Sequence, residues 1–246
     1  MSFQRQIREL FERTSALHLL RELPPGIDLA VDLERWAPGL EVRTVLDIGA
    51  NRGQSALRFA SDYPQATIHS VEPADSIFAQ LKANTATEER IVCHQVALGA
   101  EPAEDRVFVV KNLVSHLAEP DEELGGRETQ MVRVDTLDGF CAGEGLHHVN
   151  LLKIDTEGHD LQVLQGADRL FRSAAVDCVQ VEAGMYPENE RHVPLRAFQD
   201  WMEERGYCFF GFYEQTHEFN GEPQLRRADV AFVSPEVRRR CLRQPV

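Results

Sequence analysis

The stretch Lys153-Ile-Asp155-Thr-Glu157-Gly-His159 puts a cation, two carboxylates and an imidazole within seven residues, directly after the apolar pair Leu151-Leu152. Lys153 and Asp155 are two apart, so on a strand they point the same way. A lysine on a strand this apolar needs a carboxylate partner if it is buried. Asp155 stands at the C-terminal edge of that strand, and Glu157, Gly158 and His159 form a turn into the helix that follows. An imidazole titrates near neutral pH, so Asp155 and His159 are groups suited to general acid–base work. Glu182, at the end of the next apolar run, adds another carboxylate.

A second cluster has residue types that hold a ligand. Val45 to Leu57 reads VLDIGANRGQSAL, with Gly49 and Gly53 in a strand-to-helix turn. Glycine there permits positive φ and lets a ligand approach the backbone. A dinucleotide fingerprint needs G-x-G-x-x-G. Counting from Gly49, its second and third glycine positions hold Asn51 and Gln54, which disfavours a nicotinamide or flavin enzyme. Glu72 ends the next apolar run, 19 residues beyond Gly53. An acidic residue at about that spacing accepts hydrogen bonds from ribose hydroxyls. Ala97 and Leu98, in Gln95-Val-Ala-Leu-Gly99, offer an apolar edge and backbone groups. Gly53-Gln-Ser-Ala-Leu57 lacks the final glycine of a nucleophile elbow, so serine hydrolase chemistry fails.

The elements that must position these residues alternate. Strands are expected at 43–48, 67–72, 90–96, 150–154 and 176–181, and helices at 53–62, 74–84, 159–171 and 194–205. Residues 106–110 and 130–134 read as a paired insertion. Late strands at 207–213 and 229–233, joined through Asn220-Gly221, can pair antiparallel at the sheet's end. This pattern is that of an open α/β sheet with helices on both faces, whose ligand sits beyond the C-terminal strand ends. Ahead of it, Phe3, Ile7, Leu10, Phe11, Leu17 and Leu20 recur at helical spacing up to Pro24-Pro25-Gly26, and a short amphipathic segment follows at 29–36. The first stripe has two uses, packing on its own domain or on a second copy in a homo-oligomer.

The spacing Asp47-x-Gly49-x-Asn51-x-Gly53 resembles the first motif of S-adenosylmethionine-dependent methyltransferases with a Rossmann-like sheet. The stretch Val149-Asn-Leu-Leu-Lys-Ile-Asp-Thr-Glu-Gly-His-Asp-Leu-Gln-Val-Leu-Gln-Gly-Ala167 resembles the FkbM-family signature, as do Val132-Arg-Val-Asp-Thr-Leu-Asp138 and Val179-Gln-Val-Glu182. The likeness spans residues 43–183, with 229–233 as a last strand. It implies the class I methyltransferase fold: an α/β, Rossmann-like, doubly wound seven-stranded sheet, mostly parallel with an antiparallel end strand. Residues 1–40 would be an N-terminal helical extension and 41–246 the S-adenosylmethionine-binding domain. By resemblance, Asp47, Gly49, Asn51, Gly53, Glu72, Ala97 and Leu98 hold the donor, S-adenosylmethionine. The reaction is expected to be O-methylation of a hydroxyl on a sugar, glycan or secondary metabolite. Asp155, His159 and Glu182 are the candidate catalytic groups, with His116 a further candidate base. Ser115, His116 and Glu157 are expected to bind substrate. The polar loop 112–126 and the segment 184–192 are expected to line the acceptor pocket.

Other readings stand beside this one. A non-catalytic donor-binding regulatory or scaffold protein would keep Asp47, Gly49, Gly53 and Glu72, and an N-methyltransferase would share the sheet. Asp155, Glu157, His159 and Glu182 include metal-binding types, but the pattern departs from that of metal-dependent O-methyltransferases, and no metal ligand is assigned.

Composition narrows the partners. The chain has 246 residues, 43% of them apolar, and a net charge of −14 from 26 basic and 40 acidic residues. No global basic footprint exists for nucleic acid, and there is no Asn-Pro-Pro-Tyr-type motif. No run approaches the ~20 apolar residues of a membrane helix. The five cysteines are scattered, without metal-type spacing, which fits reduced thiols in a cytoplasmic protein.

Overall fold

The computed structural model describes residues 22–110, 115–118, 125–186, 191–218 and 223–242. The N-terminal stripe, parts of the loop 112–126 and of the segment 184–192, and the Asn220-Gly221 turn lie outside the described residues.

Seven strands form the main sheet: β1 (Thr44–Ile48), β2 (Thr67–Val71), β3 (Ile91–His94), β8 (Val149–Ile154), β9 (Val176–Gly184), β10 (Cys208–His217) and β11 (Leu225–Val233), in the order β10-β11-β9-β8-β1-β2-β3. β1, β2, β3, β8 and β9 run parallel. β11 is antiparallel to both β9 and β10. This is the class I, Rossmann-like α/β arrangement. The order reverses at β1, which lies between β8 and β2, and such a switch point opens a crevice beyond the strand ends.

Strand alternation divides the core into two faces. Leu46, Ile48, Leu152 and Ile154 join one cluster with Val163, Leu164, Leu170 and Phe171. Val45 and Leu151 join the other, with Ala56, Phe59 and Ala60 of α2 (Gln54–Asp62). α1 (Leu29–Trp36) adds Leu29 and Leu33 to this second cluster, where Tyr213 of β10 also lies. The Tyr213 hydroxyl donates to Asp32 Oδ2 at 3.0 Å, which ties α1 to the far edge of the sheet.

Several boundaries differ from the sequence reading. The third strand stops at His94, and Ala97–Gly99 forms a separate β4 in a second sheet. That sheet has the order β4-β7-β5-β6, with β5 (Ala103–Val109), β6 (His116–Leu117) and β7 (Thr129–Thr136). β5 pairs with β7, as the insertion reading expected, and the two strands run antiparallel. In the chain α3 (Asp75–Thr85) follows β2 and α4 (Leu137–Gly143) follows β7. The expected helix 159–171 is two helices, α5 (Asp160–Gln165) and α6 (Asp168–Arg172). A Cβ on the intervening Gly166 would stand 2.1 Å from the Gly99 carbonyl oxygen, so the chain can pass β4 only as glycine. The restart is capped by Asp138, whose carboxylate accepts from the Arg169 and Leu170 amides at 2.9 and 3.1 Å. The apolar periodicity survives the break: Val163, Leu164, Ala167, Leu170 and Phe171 are all buried. α7 (Leu195–Glu203) follows Pro194 as expected, and α8 (Pro235–Leu242) ends the described chain.

Candidate active site

A cavity of about 620 Å³ opens at the C-terminal ends of β1, β2, β8 and β9, in the size range of small-molecule sites. Its floor is a polar rung running across the sheet. Ser70 pairs with Asp47, Asp47 with Lys153, and Lys153 with Gln180, on four neighbouring strands. Asp47 is fully buried, and its Oδ2 accepts from Ser55 Oγ of α2 at 2.6 Å. Its Oδ1 has no hydrogen-bond partner among the described residues. Burial raises the Asp47 pKa, with Lys153 and Ser55 acting the other way.

Lys153 Nζ lies 3.0 Å from Asp155 Oδ2, the carboxylate partner that an apolar strand demanded of it. Burial opposes the ammonium charge, but Asp155, Asp47 and Asp229 outweigh burial and raise its pKa. Asp155 shows the converse. Burial pushes its carboxyl up, and the charge and hydrogen bond of Lys153, with Arg227 and His192 behind them, bring it below the ordinary value. Asp155 is therefore a settled anion.

The first-strand loop is built around close backbone approach. Gly49 has φ +78, and a Cβ there would lie 1.9 Å from the Asp155 carbonyl oxygen. Its glycine requirement comes from the crossing of the β1 and β8 ends, which the Asp155 N–H to Ile48 carbonyl bond of 3.0 Å also ties. Asn51 has φ 49 and lines the cavity, and its Oδ1 is buried with no partner among the described residues. Glu72 closes this end. Its two carboxylate oxygens accept from the Asn51 amide at 3.2 Å and the Ala74 amide at 3.0 Å. Burial pushes its pKa up to about 7, against those two hydrogen bonds.

The sequence-derived residues mostly converge here. Gly49, Asn51, Glu72, Ala97, Leu98, Ser115, Asp155, Glu157, His159 and Glu182 all line the cavity. Three do not. Asp47 lies beneath it. Gly53 caps α2 at φ +91, and its Cβ position faces Thr85 and Leu81. His116 sits between Ser115 and Leu117, which both line the cavity, and alternation along β6 turns its side chain away from their face.

Glu157 and Glu182 also have structural partners. Glu157 pairs with Arg191 at 3.1 Å. A Cβ on the neighbouring Gly158 would stand 2.9 Å from the Arg191 carbonyl oxygen. The turn after β8 thus clasps the backbone that carries His192. Glu182 accepts from His192 Nε2 at 2.8 Å and pairs with Arg227 of β11. His192 is buried, and burial lowers its pKa, with Arg191 and Arg226 acting in the same sense and Glu157 and Asp160 opposing. A neutral imidazole held by a carboxylate therefore borders the cavity. The sequence reading placed the segment 184–192 at the pocket without singling out His192, because only the fold brings it back onto Glu182.

The two ends of the cavity differ in chemistry. Val71, Val96, Ala97, Leu98, Phe108 and Leu117 make an apolar wall on the β2–β4 side. The β9–β11 side offers Gln180, Glu182, His192, Glu214, Arg226 and Arg227. Arg58 of α2 pairs with Glu214 across this side.

Residues 47–209 match the family model for the methyltransferase FkbM domain. Methyltransferase 1 of Beauveria bassiana is 32% identical over 156 residues, 54% of this chain and 61% of that protein, so the chain spans less than two thirds of that relative. The 2-O-methyltransferase NoeI of Sinorhizobium fredii is 26% identical over 223 residues, 82% of this chain and 85% of that protein. The crystal structure of a methyltransferase FkbM from Methylobacillus flagellatus superposes with a TM-score of 0.52 at 15% identity, covering 78% of this chain and 44% of the other, a likeness of fold.

Proposed function

Because the chain belongs to the FkbM methyltransferase family, we propose that it is an S-adenosylmethionine-dependent O-methyltransferase acting on a hydroxyl of a sugar or similar polyhydroxylated acceptor. One observation carries the acceptor class: the β9–β11 side of the cavity is made of amides, carboxylates, guanidinium groups and an imidazole. Such a wall hydrogen-bonds several hydroxyls at once. The name of the Sinorhizobium fredii relative, a 2-O-methyltransferase, supports the same reading.

The residues at the other end fit the donor. Glu72, already oriented by two backbone amides, has lone pairs left for ribose hydroxyls. The buried Asn51 Oδ1 without a partner among the described residues suits an ammonium group. The apolar wall of Ala97, Leu98 and Phe108 suits a purine face. When bound, S-adenosylmethionine supplies a methyl group already activated on a positively charged sulfur.

The chain's remaining work is to align the acceptor hydroxyl and remove its proton. In this reading Asp155, an anion fixed by Lys153, accepts a hydrogen bond from that hydroxyl and orients it, and His192 takes the proton. Glu182, 2.8 Å from His192 Nε2, stabilises the imidazolium that forms. His159 remains a second imidazole at the cavity wall.

The test is incubation with donor labelled in the methyl group and a panel of sugars, aromatic alcohols and amines, with mass-spectrometric location of the label. Label on a sugar hydroxyl is expected; transfer confined to amines or aromatic hydroxyls overturns the acceptor class. In that assay His192→Ala and Asp155→Asn should each lower turnover ~10²-fold, the usual scale for losing a base or its aligning partner, with donor affinity little changed. At saturating donor, the acid limb of kcat/KM for the acceptor should lie below pH 6.5, because burial lowers the His192 pKa from 6.5 and the base works above its own pKa. Full activity in His192→Ala would return the base to Asp155 or His159.

A further inference from the structure

We propose that His69, His94 and Glu144 form a binding site for a divalent transition-metal ion of the zinc type, separate from the donor cavity. The three side chains each offer one ligand atom, and those atoms lie within 4.8 Å of one another. None of the three residues lines the cavity. His69 comes from β2 and His94 from β3, at the edge of the main sheet. Glu144 caps the C-terminal end of α4, which follows the last strand of the second sheet to be formed along the chain.

His69 Nδ1 and His94 Nε2 are 3.1 Å apart, and the two rings are within 17° of parallel planes. Two nitrogens sharing a tetrahedral metal are separated by roughly 3.3 Å, given bonds of about 2.0–2.1 Å. The present spacing is thus close to that of a chelating pair: an ion takes the place of the hydrogen between the nitrogens, with a turn of the rings to aim both lone pairs at it. Glu144 Oε1 stands 3.8 Å from the other nitrogen of His94 and has a side chain 41% exposed, so the carboxylate is able to swing onto the ion. The ring of His94 meets Phe140 edge-on at 5.0 Å, and His69 is buried, so two of the three ligands are held by packing rather than by solvent-facing chain.

The donor set selects the ion. Two imidazoles and one carboxylate suit Zn²⁺, Co²⁺ or Cu²⁺, whereas Mg²⁺ and Ca²⁺ favour shells made of oxygen. Three protein ligands leave a fourth position for water. The bound ion would brace the β2–β3 edge against α4, and so hold the two sheets together near β4, whose residues wall the cavity.

The experiment is zinc titration by calorimetry of the full chain after dialysis against chelator, with cobalt as a spectroscopic probe. One Zn²⁺ per chain is expected, with a raised Tm and a visible tetrahedral band for cobalt. His94→Ala and, separately, Glu144→Gln should each weaken binding by on the order of 10-fold or more, at least the cost of losing a supporting group around a metal. Glu144→Gln changes a half-exposed side chain, so it reports on ligation even if His94→Ala folds poorly. Magnesium should not compete. Absence of saturable zinc binding, or zinc binding unmoved by both substitutions, overturns the site.

Discussion

At the scale of single residues, Glu72 joins the donor end of the cavity to a measurable proton. Its pKa is raised by burial to about 7, from an ordinary value of 4.5. The folded protein therefore holds a proton that the unfolded chain releases, so this group's contribution to stability is full below pH 4.5 and is lost as pH rises through about 7. Hydrogen bonds from ribose hydroxyls favour the ionised form. Donor binding near pH 6 should then release close to one proton from Glu72, measured by calorimetry in buffers of different ionisation enthalpy, and Glu72→Gln should abolish the release. Glu72→Ala should weaken donor binding by about 1–3 kcal/mol. An unchanged affinity would remove Glu72 from the donor site. Glu72 was legible in the sequence because spacing alone carries its signal. Glu182 was legible as a residue but not as half of a pair, since its partner His192 returns to it through the Gly158–Arg191 contact and the bonding of Gly184 to Val193.

At the scale of elements, the alternating strands were readable because each carries its own apolar run. The division of 90–99 into β3 and β4 was not, since Gln95-Val96 continues the apolar pattern and only pairing with β7 pulls Ala97–Gly99 into another sheet. The split of the helix after Asp155 was hidden for a similar reason: its apolar stripe continues across Gly166, and what demands glycine at the break is a carbonyl 67 residues away at Gly99. That contact carries a prediction. Gly166→Ala must displace either α5 or β4, and should lower stability by about 3 kcal/mol or more in urea unfolding, the scale of overpacking against a rigid neighbour. Because β4 supplies Ala97 and Leu98, the folded fraction of the variant should also bind the donor more weakly. A variant as stable as the parent would show that β4 and α5 are not in fixed contact.

At the scale of the whole molecule, the site is assembled from distant parts of the chain around the β1–β8 pairing. Val45 stands beside Leu151, 106 residues further on, and the Asp47–Lys153 rung depends on the same register. Loop closure over such a distance is entropically costly and slow. A chain emerging from the ribosome therefore carries β1, β2 and β3 for a long interval with one edge of β1 bare and Asp47 without its cation. The centre of the sheet therefore closes only once β8 has been made, and β1 with β2 alone is not its seed. In refolding followed by pulsed hydrogen exchange, amides of β1 should gain protection together with those of β8 and not with those of β2 alone; early, separate protection of the β1–β2 pair would contradict this order. The same rung that prepares the cavity floor thus sets the timing of the fold, and a nascent chain has no catalytic floor to misuse before its second half has arrived.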